Sequence, residues 1–129
     1  MAVELDHFIV PARDKAKAGT LLADLLGVAC GPAPLGPFFA VYVNEGLTLD
    51  FVDSDEKLTA HHYCFRVSAA DFDRILGRIR AAGIAYRSNV HEPVDLKVNT
   101  DYGGSMVYWN EPDGHQWEIL THSYARQQA

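Results

Sequence analysis

The segment VYWNEPDGHQWEIL, from Val107 to Leu120, repeats a pattern that occurs earlier in the chain as VYVNEGLTLDFV, from Val41 to Val52. Both segments read Val-Tyr-x-Asn-Glu, turn at a glycine, and place an acid four residues after that glycine. The acid is Asp50 in the first copy and Glu118 in the second. A motif that recurs with its acid in register indicates internal duplication, so the rest of the repeat should lie upstream of each copy.

A histidine stands near the start of each half of this repeat. His7 lies in the apolar run LDHFIV and His62 in the run HYCFRV, and both runs are rich in residues typical of strands. Apolar residues at helical spacing follow each run, and a glycine, Gly27 or Gly83, ends each predicted helix. The histidine precedes the glycine by 20 residues in the first half and by 21 in the second. We therefore interpret the chain as two copies of one unit.

Short extended segments follow each predicted helix and complete the unit. The predicted strands are Phe38–Val43 and Leu47–Asp53 in the first half and Ile84–Arg87, Ser105–Trp109 and His115–His122 in the second, with a further one near Val28–Cys30. The sequence predicts an α+β fold of two tandem βαβββ modules, 1–53 and 61–122, within one domain of residues 1–129. The modules are expected to form a curled sheet that encloses a cleft, with the helices on the outside.

Strand alternation predicts which side chains share a face of each sheet. If the apolar residues of each first strand pack on the helix, His7 and His62 must point to the opposite face. The same alternation places Asp50 and Glu118 on the helix-free faces. Taken alone, either histidine would be interpreted as structural, but the register-matched pair of histidines with a register-matched acid favours a metal site.

These motifs are similar to those of the vicinal oxygen chelate superfamily, which includes glyoxalase I, extradiol dioxygenases, fosfomycin-resistance enzymes and bleomycin-resistance proteins. EPDGHQWE resembles the closing motif of the superfamily, and HYCFRV resembles the strand that opens its second module. LDHFIV resembles the equivalent strand of the first module. The resemblance extends over nearly the whole chain, and it implies paired βαβββ modules.

The resemblance also implies a set of site residues. His7, His62 and Glu118 correspond to the three metal ligands of the fosfomycin-resistance enzymes. Asp50 corresponds to a fourth position, which holds glutamate in glyoxalase I, and the shorter side chain leaves open whether it is a ligand, a partner of a ligand or a plain polar residue. Glu118 and Asp50 are the candidate catalytic carboxylates. Two imidazoles with one or two carboxylates suit a divalent metal such as Zn, Mn, Fe, Ni or Co.

Other candidate residues are suggested by their neighbours in the sequence. His61, beside His62, is the rival metal ligand, although alternation sends it to the helix face or into the preceding loop. Arg66 shares the predicted face of His62 and is a candidate to bind an anionic substrate group, the alternative being a surface arginine at a strand end. Tyr102, in a loop with two glycines, is a candidate to cover the cleft. We expect solvated loop histidines and ordinary turn acids at His91, His115, Glu45 and Glu111.

Composition excludes several classes of function. The net charge of -6 argues against a nucleic-acid surface, which would need clustered lysine and arginine. No apolar run approaches the length of a membrane span, and the N-terminus lacks a signal-type pattern, so a cytoplasmic protein is expected. Cys30 and Cys64 have no CxxC spacing and are expected to be buried small hydrophobes rather than a disulfide.

We therefore expect a small divalent-metal-dependent enzyme that acts on an oxygen-rich small molecule by isomerisation, epoxide opening or dioxygenation. The alternative is a metal-free binding protein of the bleomycin-resistance type, which holds a small molecule in the same cleft. The resemblance to the fosfomycin-resistance enzymes implies a homodimer with shared sites, in which His7 of one chain meets His62 and Glu118 of the other. The residues themselves leave open whether the modules pair within a chain or between chains.

Overall fold

The chain folds as two successive β-α-β-β-β units, Met1–Thr59 and Ala60–Ala129. The structure is a computed structural model, and it describes residues 3–126. The first unit contains β1 (His7–Ala12), α1 (Lys15–Leu26), β2 (Ala29–Pro32), β3 (Phe39–Asn44) and β4 (Leu47–Asp53). The second contains β5 (His62–Arg66), α2 (Ala69–Ala81), β6 (Tyr86–Arg87), β7 (Met106–Asn110) and β8 (Gln116–Leu120). The predicted α+β class with two βαβββ modules is confirmed.

Each unit contains one four-stranded sheet, and the two sheets have the same topology. The strand orders are β1-β4-β3-β2 and β5-β8-β7-β6. The first strand of each unit runs parallel to the last, and the other neighbouring pairs are antiparallel. This shared strand order places the first strand of each unit beside the last. His7 on β1 therefore lies on the strand next to Asp50 on β4, and His62 on β5 lies on the strand next to Glu118 on β8.

Both helices begin at the capping residues that their sequences supply. The side chain of Asp14 accepts a hydrogen bond from the backbone nitrogen of Lys17, at 3.1 Å, at the start of α1. Ser68 accepts in the same way from the backbone nitrogen of Asp71, also at 3.1 Å, at the start of α2. Gly27 ends α1 with a φ of 74°, a left-handed conformation that favours glycine. Gly27 is the residue that the sequence predicted as the end of this helix.

One face of the first sheet packs against α1. The helix comes closest to the sheet at Gly19, where an added Cβ would lie 2.6 Å from the ring of Phe39. Phe39 pairs with Phe51, which pairs in turn with Val10, so all three side chains share this face. Alternation then places the side chain of Asp50 on the opposite face, as predicted.

The second sheet has one aromatic face and one face that carries the acid. The ring of Trp117 stacks on those of Tyr63 and Phe65, with centroids 4.6 Å and 5.9 Å apart. Cys64 pairs with Glu118 in the strand register, so the acid points away from this aromatic stack. Met106, Tyr108 and Leu120, which share the face of Glu118, are also buried.

The long connection between β6 and β7 covers part of the face that carries the acid. The predicted strand Ile84–Arg87 is shortened to Tyr86–Arg87, and Val90 packs against the buried cluster of Met106, Tyr108 and Leu120. The guanidinium of Arg87 donates to the Val90 carbonyl at 3.0 and 3.2 Å, which fixes the start of this connection. No helix within residues 3–126 is long and apolar enough to cross a membrane.

Candidate functional site

Glu118 lies on the central strand β8 of the second sheet, and its side chain is fully buried. His62, on the neighbouring strand β5, donates a hydrogen bond from Nε2 to Oε1 of Glu118, at 2.8 Å. The pair forms because β5 and β8 run parallel, so that a residue of β5 reaches diagonally to the acid on the same face. A buried carboxylate is costly unless it is hydrogen-bonded, and His62 supplies one such bond.

Tyr124, which follows β8, provides the second hydrogen bond to this acid. Its hydroxyl lies 2.7 Å from Oε1 and 2.9 Å from Oε2 of Glu118, and it donates to this carboxylate. The hydroxyl of Tyr108, on β7, lies 3.4 Å from that of Tyr124. Burial raises the pKa of Tyr124, and the hydrogen bonds with Tyr108 and Glu118 raise it further, so the phenol stays protonated. Tyr124 lies outside the internal repeat, so no pattern in the sequence marked it.

Cys64 faces the same carboxylate from β5. The protein atoms around the sulfur partly remove its hydration and raise the pKa of the thiol to about 12, although the residue as a whole is exposed; the charge of Glu118 adds to the increase. The thiol is therefore protonated near neutral pH and is a poor nucleophile. The expectation of a buried cysteine is wrong for Cys64, because its face of β5 opens to a surface depression and leaves the residue exposed. Cys30 is half-buried, and both cysteines are free thiols.

An open depression of about 730 Å³ lies over this group, and His62, Cys64 and Tyr124 are part of its lining. Arg66 and Arg126 line it as well, so two guanidinium groups border the space next to the acid. The sequence pointed to Arg66 through strand alternation. Arg126 follows the repeat, and no periodicity could have indicated it.

A smaller cavity of about 290 Å³ lies beside this depression, and Tyr124 lines both. Tyr102 and Tyr108 also line the smaller cavity. The ring of Tyr102 lies 5.8 Å from that of Tyr124, and just over half of its surface is exposed. The residue that was expected to cover a cleft thus lies at the margin of this cavity, in contact with the tyrosine that holds the acid.

His7 and Asp50 belong to the first unit and lie on the face of its sheet opposite α1. Ile9 of β1 pairs with Asp50 of β4, and alternation puts His7 on the same face as Ile9. The Nδ1 atom of His7 donates to Asp6 at 2.7 Å. This hydrogen bond is the main cause of the raised pKa of His7; loss of hydration opposes it, and the negative charges of Asp6 and Asp50 add smaller increases.

The donor groups of the His62–Glu118 pair suit a divalent metal. His62 offers an imidazole nitrogen and Glu118 a carboxylate oxygen, both of which are donor types that such metals bind, and the two atoms lie 2.8 Å apart. Within residues 3–126, however, no three His, Cys, Asp or Glu side chains come together as a possible metal site. The structure therefore brings together two of the three proposed ligands, and His7 remains in the first unit.

The turn before β8 contains a second buried polar group, which the sequence did not predict. His115 was expected to be solvated, but it is fully buried, with its Nδ1 accepting from the backbone nitrogen of His61 at 3.2 Å. The rings of His61 and His115 stack with centroids 6.0 Å apart, which holds His61 beside His115 rather than in the His62–Glu118 pair. The expectation fails because the turn folds back on the end of the aromatic face.

Glu111 was expected to be an ordinary turn residue, and this expectation is wrong. Its Oε1 accepts a hydrogen bond from the backbone nitrogen of His115 at 2.8 Å, and its side chain is buried. Burial raises the pKa of Glu111 to about 7, and the neighbouring Asp113 adds to the increase. Glu45, the residue in the same place in the first copy, is exposed. The inserted Pro112-Asp113 pair distinguishes the second turn from the first.

Comparison with known proteins gives matches among solved structures. No protein-family model matches the chain, and a search of curated proteins also gives no match. The chain is similar to a solved structure described as Oxidase ChaP-H2, with 42% identity and a TM-score of 0.90, over 97% of this chain and 98% of that one. Such identity over the whole chain indicates a shared family.

Two more distant structures share the fold. The fosfomycin resistance protein FosX from Mesorhizobium loti is 20% identical, with a TM-score of 0.70 over 96% of each chain. A lactoylglutathione lyase from Agrobacterium tumefaciens is 18% identical, with a TM-score of 0.67 over 93% of this chain and 94% of that one. At these identities the likeness concerns the fold alone.

Proposed function

The chain belongs to the vicinal oxygen chelate superfamily, and from this premise we propose that it is a small metal-dependent enzyme that oxidises an oxygen-rich small molecule. The observation that carries the proposal is the His62–Glu118 pair at 2.8 Å, in which Glu118 is buried and His62 lines an open depression. Oxidation is favoured over isomerisation or epoxide opening because the relative with 42% identity is described as an oxidase.

We propose that His62 and Glu118 hold a divalent metal together with His7 of a second copy of the chain. Zn, Mn, Fe, Ni and Co all accept this set of two imidazoles and one carboxylate, and a redox-active member of the group is needed for oxidation. Such a metal would supply Lewis-acid activation of substrate oxygens, and dioxygen would serve as the oxidant. Asp50 shares the helix-free face of the first sheet with His7, and we assign it the role of raising the basicity of that ligand rather than of binding the metal.

The other residues of the depression indicate how a substrate would bind. Arg66 and Arg126 present two guanidinium groups, which suit a carboxylate, phosphonate or enolate oxygen on the substrate. Tyr102 and Tyr108 offer aromatic surface in the adjoining cavity, where an apolar part of the substrate can pack. We propose that the arginines orient the anionic end of the molecule, so that its neighbouring oxygens face His62 and Glu118.

Metal analysis of the purified protein tests the proposal. We expect about one divalent metal per chain in the wild-type protein, strongly reduced by His62→Ala and only slightly reduced by His61→Ala. His61 is the matched control, because it adjoins His62 in the sequence but stacks on His115. Equal loss of metal from both variants, or no loss from either, would contradict the assignment of His62 as a metal ligand. Activity screens on catechols, fosfomycin and methylglyoxal thiol adducts then distinguish the three reaction types.

A metal-free binding protein is the second candidate, and one observation favours it. His62 and Tyr124 already satisfy the buried carboxylate of Glu118 by direct hydrogen bonds. A protein of this kind would bind an anionic small molecule in the depression with the same affinity before and after treatment with a chelator. The metal-dependent enzyme, in contrast, would lose turnover on chelation and regain it when the metal is restored.

A further inference from the structure

The geometry points to Tyr124 as the residue that positions Glu118 when Glu118 binds a metal. This inference rests on the proposed function, because it concerns the same metal site. None of the hydrogen bonds described above joins Tyr124 to His7 or His62. Tyr124 would therefore act on the metal only through the carboxylate of Glu118. Its hydroxyl is within 2.9 Å of both oxygens of that carboxylate.

Two donors, His62 and Tyr124, supply hydrogen bonds to the buried acid. Nε2 of His62 is the atom that donates to Glu118, and Nδ1 and Nε2 are the only two ring nitrogens through which a histidine can bind a metal. If Nε2 binds the metal, it must lose its proton and can no longer donate to the carboxylate. In that case the hydrogen bond from His62 to Glu118 would be lost when a metal binds.

Tyr124 is not one of the proposed ligands, so its hydrogen bonds to Glu118 would not be lost in the same way. A carboxylate that binds a metal through one oxygen leaves the other oxygen buried, and a buried oxygen needs a hydrogen-bond donor. The Tyr124 hydroxyl lies 2.7 Å from one oxygen and 2.9 Å from the other, so it can donate to whichever of them does not bind the metal. This donor fixes the orientation of the ligand without competing for the metal.

The other groups around the carboxylate are less suited to this role. The thiol of Cys64 faces Glu118 but is a weak donor. Tyr108 also faces Glu118, and its hydroxyl lies 3.4 Å from that of Tyr124, from where it supports Tyr124. The ring of Tyr102 contacts the ring of Tyr124 from the margin of the smaller cavity. Tyr124 is therefore held by two tyrosines while its hydroxyl faces the acid.

The test measures metal affinity of the full-length protein after its metal has been removed. Co²⁺ and Zn²⁺ are titrated in competition with a chromophoric chelator, into the wild type, Tyr124→Phe and Tyr102→Phe. We expect Tyr124→Phe to weaken metal binding by about 10- to 100-fold, the range found when a partner of a metal ligand is removed. The visible spectrum of bound Co²⁺ should also change, since the orientation of Glu118 is no longer fixed. Tyr102→Phe should alter neither quantity.

The outcomes separate this inference from the proposed function. If the wild-type protein binds neither metal, the proposed metalloenzyme is overturned and the role of Tyr124 with it. If the wild type binds metal and Tyr124→Phe binds equally tightly with the same Co²⁺ spectrum, only the inference about Tyr124 is wrong. Equal weakening in Tyr124→Phe and Tyr102→Phe would show a general effect of the tyrosine cluster, and would likewise contradict a specific role for the Tyr124 hydroxyl. Tyr108→Phe serves as a second variant and should give a smaller decrease than Tyr124→Phe.

Discussion

Glu118 is fully buried and accepts hydrogen bonds from His62 and Tyr124, so its charge can be changed without removing every acceptor. Glu118→Gln keeps an acceptor oxygen for Tyr124 but removes the charge. We expect it to abolish stoichiometric metal binding while leaving the metal-free protein at least as stable as the wild type, because burying a charge is costly. Metal content and thermal unfolding of the metal-free protein measure the two effects. A variant with full metal content would contradict the assignment of Glu118.

Glu111 gives the protein a pH dependence that is separate from the site. Its pKa in the folded state is raised to about 7 from an ordinary value of 4.5, so folding favours the protonated acid. Its contribution to stability is therefore full below about pH 4.5, decreases as the pH rises toward 7, and changes no further above that.

We expect Glu111→Gln to flatten the decrease in unfolding temperature between pH 5 and pH 8. Glutamine keeps the oxygen that accepts from His115 but has no proton to lose in this range. Glu45→Gln is the matched control, since Glu45 stands at the same place in the first copy of the repeat and is exposed. The idea fails if wild type and Glu111→Gln show the same pH dependence of the unfolding temperature, measured by circular dichroism.

The internal repeat in the sequence identified some of the site residues and missed others. Register alone placed His62 and Glu118 on one face, and the structure joins them by a hydrogen bond. Tyr124 could not be found in this way, because it follows the last strand and has no counterpart in the first copy. Glu111 was wrongly predicted to be an ordinary turn residue, because its burial depends on the path of the turn that contains the inserted Pro112-Asp113 pair. The local sequence does not determine that path.

Helix α1 packs closely on its sheet because Gly19 has no side chain at the point of contact. A Cβ at Gly19 would lie 2.6 Å from the ring of Phe39 and 3.4 Å from Val41. Because the ring is packed between helix and sheet, we expect Gly19→Ala to destabilise the protein by about 1–3 kcal/mol, the usual cost of overpacking. Urea-induced unfolding, followed by circular dichroism, measures the change.

Gly77 supplies the control for this prediction. It lies in α2, is exposed, and an added Cβ there would meet nothing within 4 Å. Gly77→Ala should therefore stabilise the protein by roughly 0.5–1 kcal/mol, because alanine is the better helix former. Opposite signs for the two substitutions would establish that contact with the sheet, and not helix propensity, governs position 19. Two stabilising substitutions would contradict the close approach.

The element order was predictable because strand and helix periodicities, capping residues and turn glycines agree along both halves. Strand ends were less accurate than strand order, and one example is β6, predicted as Ile84–Arg87 and found as Tyr86–Arg87. Its residues have the composition of a strand, but pairing with β7 extends over only two positions. After Arg87, side-chain hydrogen bonds to the Val90 carbonyl take the chain into the long connection. Such tertiary contacts do not show in a local pattern.

At the scale of the whole molecule, we propose a homodimer in which each metal site takes His7 from one chain and the His62–Glu118 pair from the other. His7→Ala and Glu118→Ala proteins should each be inactive. When the two are refolded together, a mixed dimer would contain one site with both defects and one intact site, so up to about a quarter of wild-type activity should return if pairing is random. Single-chain sites would carry a defect in every copy, and the mixture would stay inactive.

The sheet order has a consequence for how the protein behaves when concentrated. In each sheet one outer strand is very short, β2 with four residues and β6 with two, while the other outer strand is β1 or β5, with six and five residues. Short outer strands give a foreign strand little to pair with, so polymerisation by strand addition would proceed from β1 and β5. β1 and β5 carry His7 and His62, two of the proposed metal ligands. Self-association through these strands would therefore remove the protein from solution and would also block the proposed metal site.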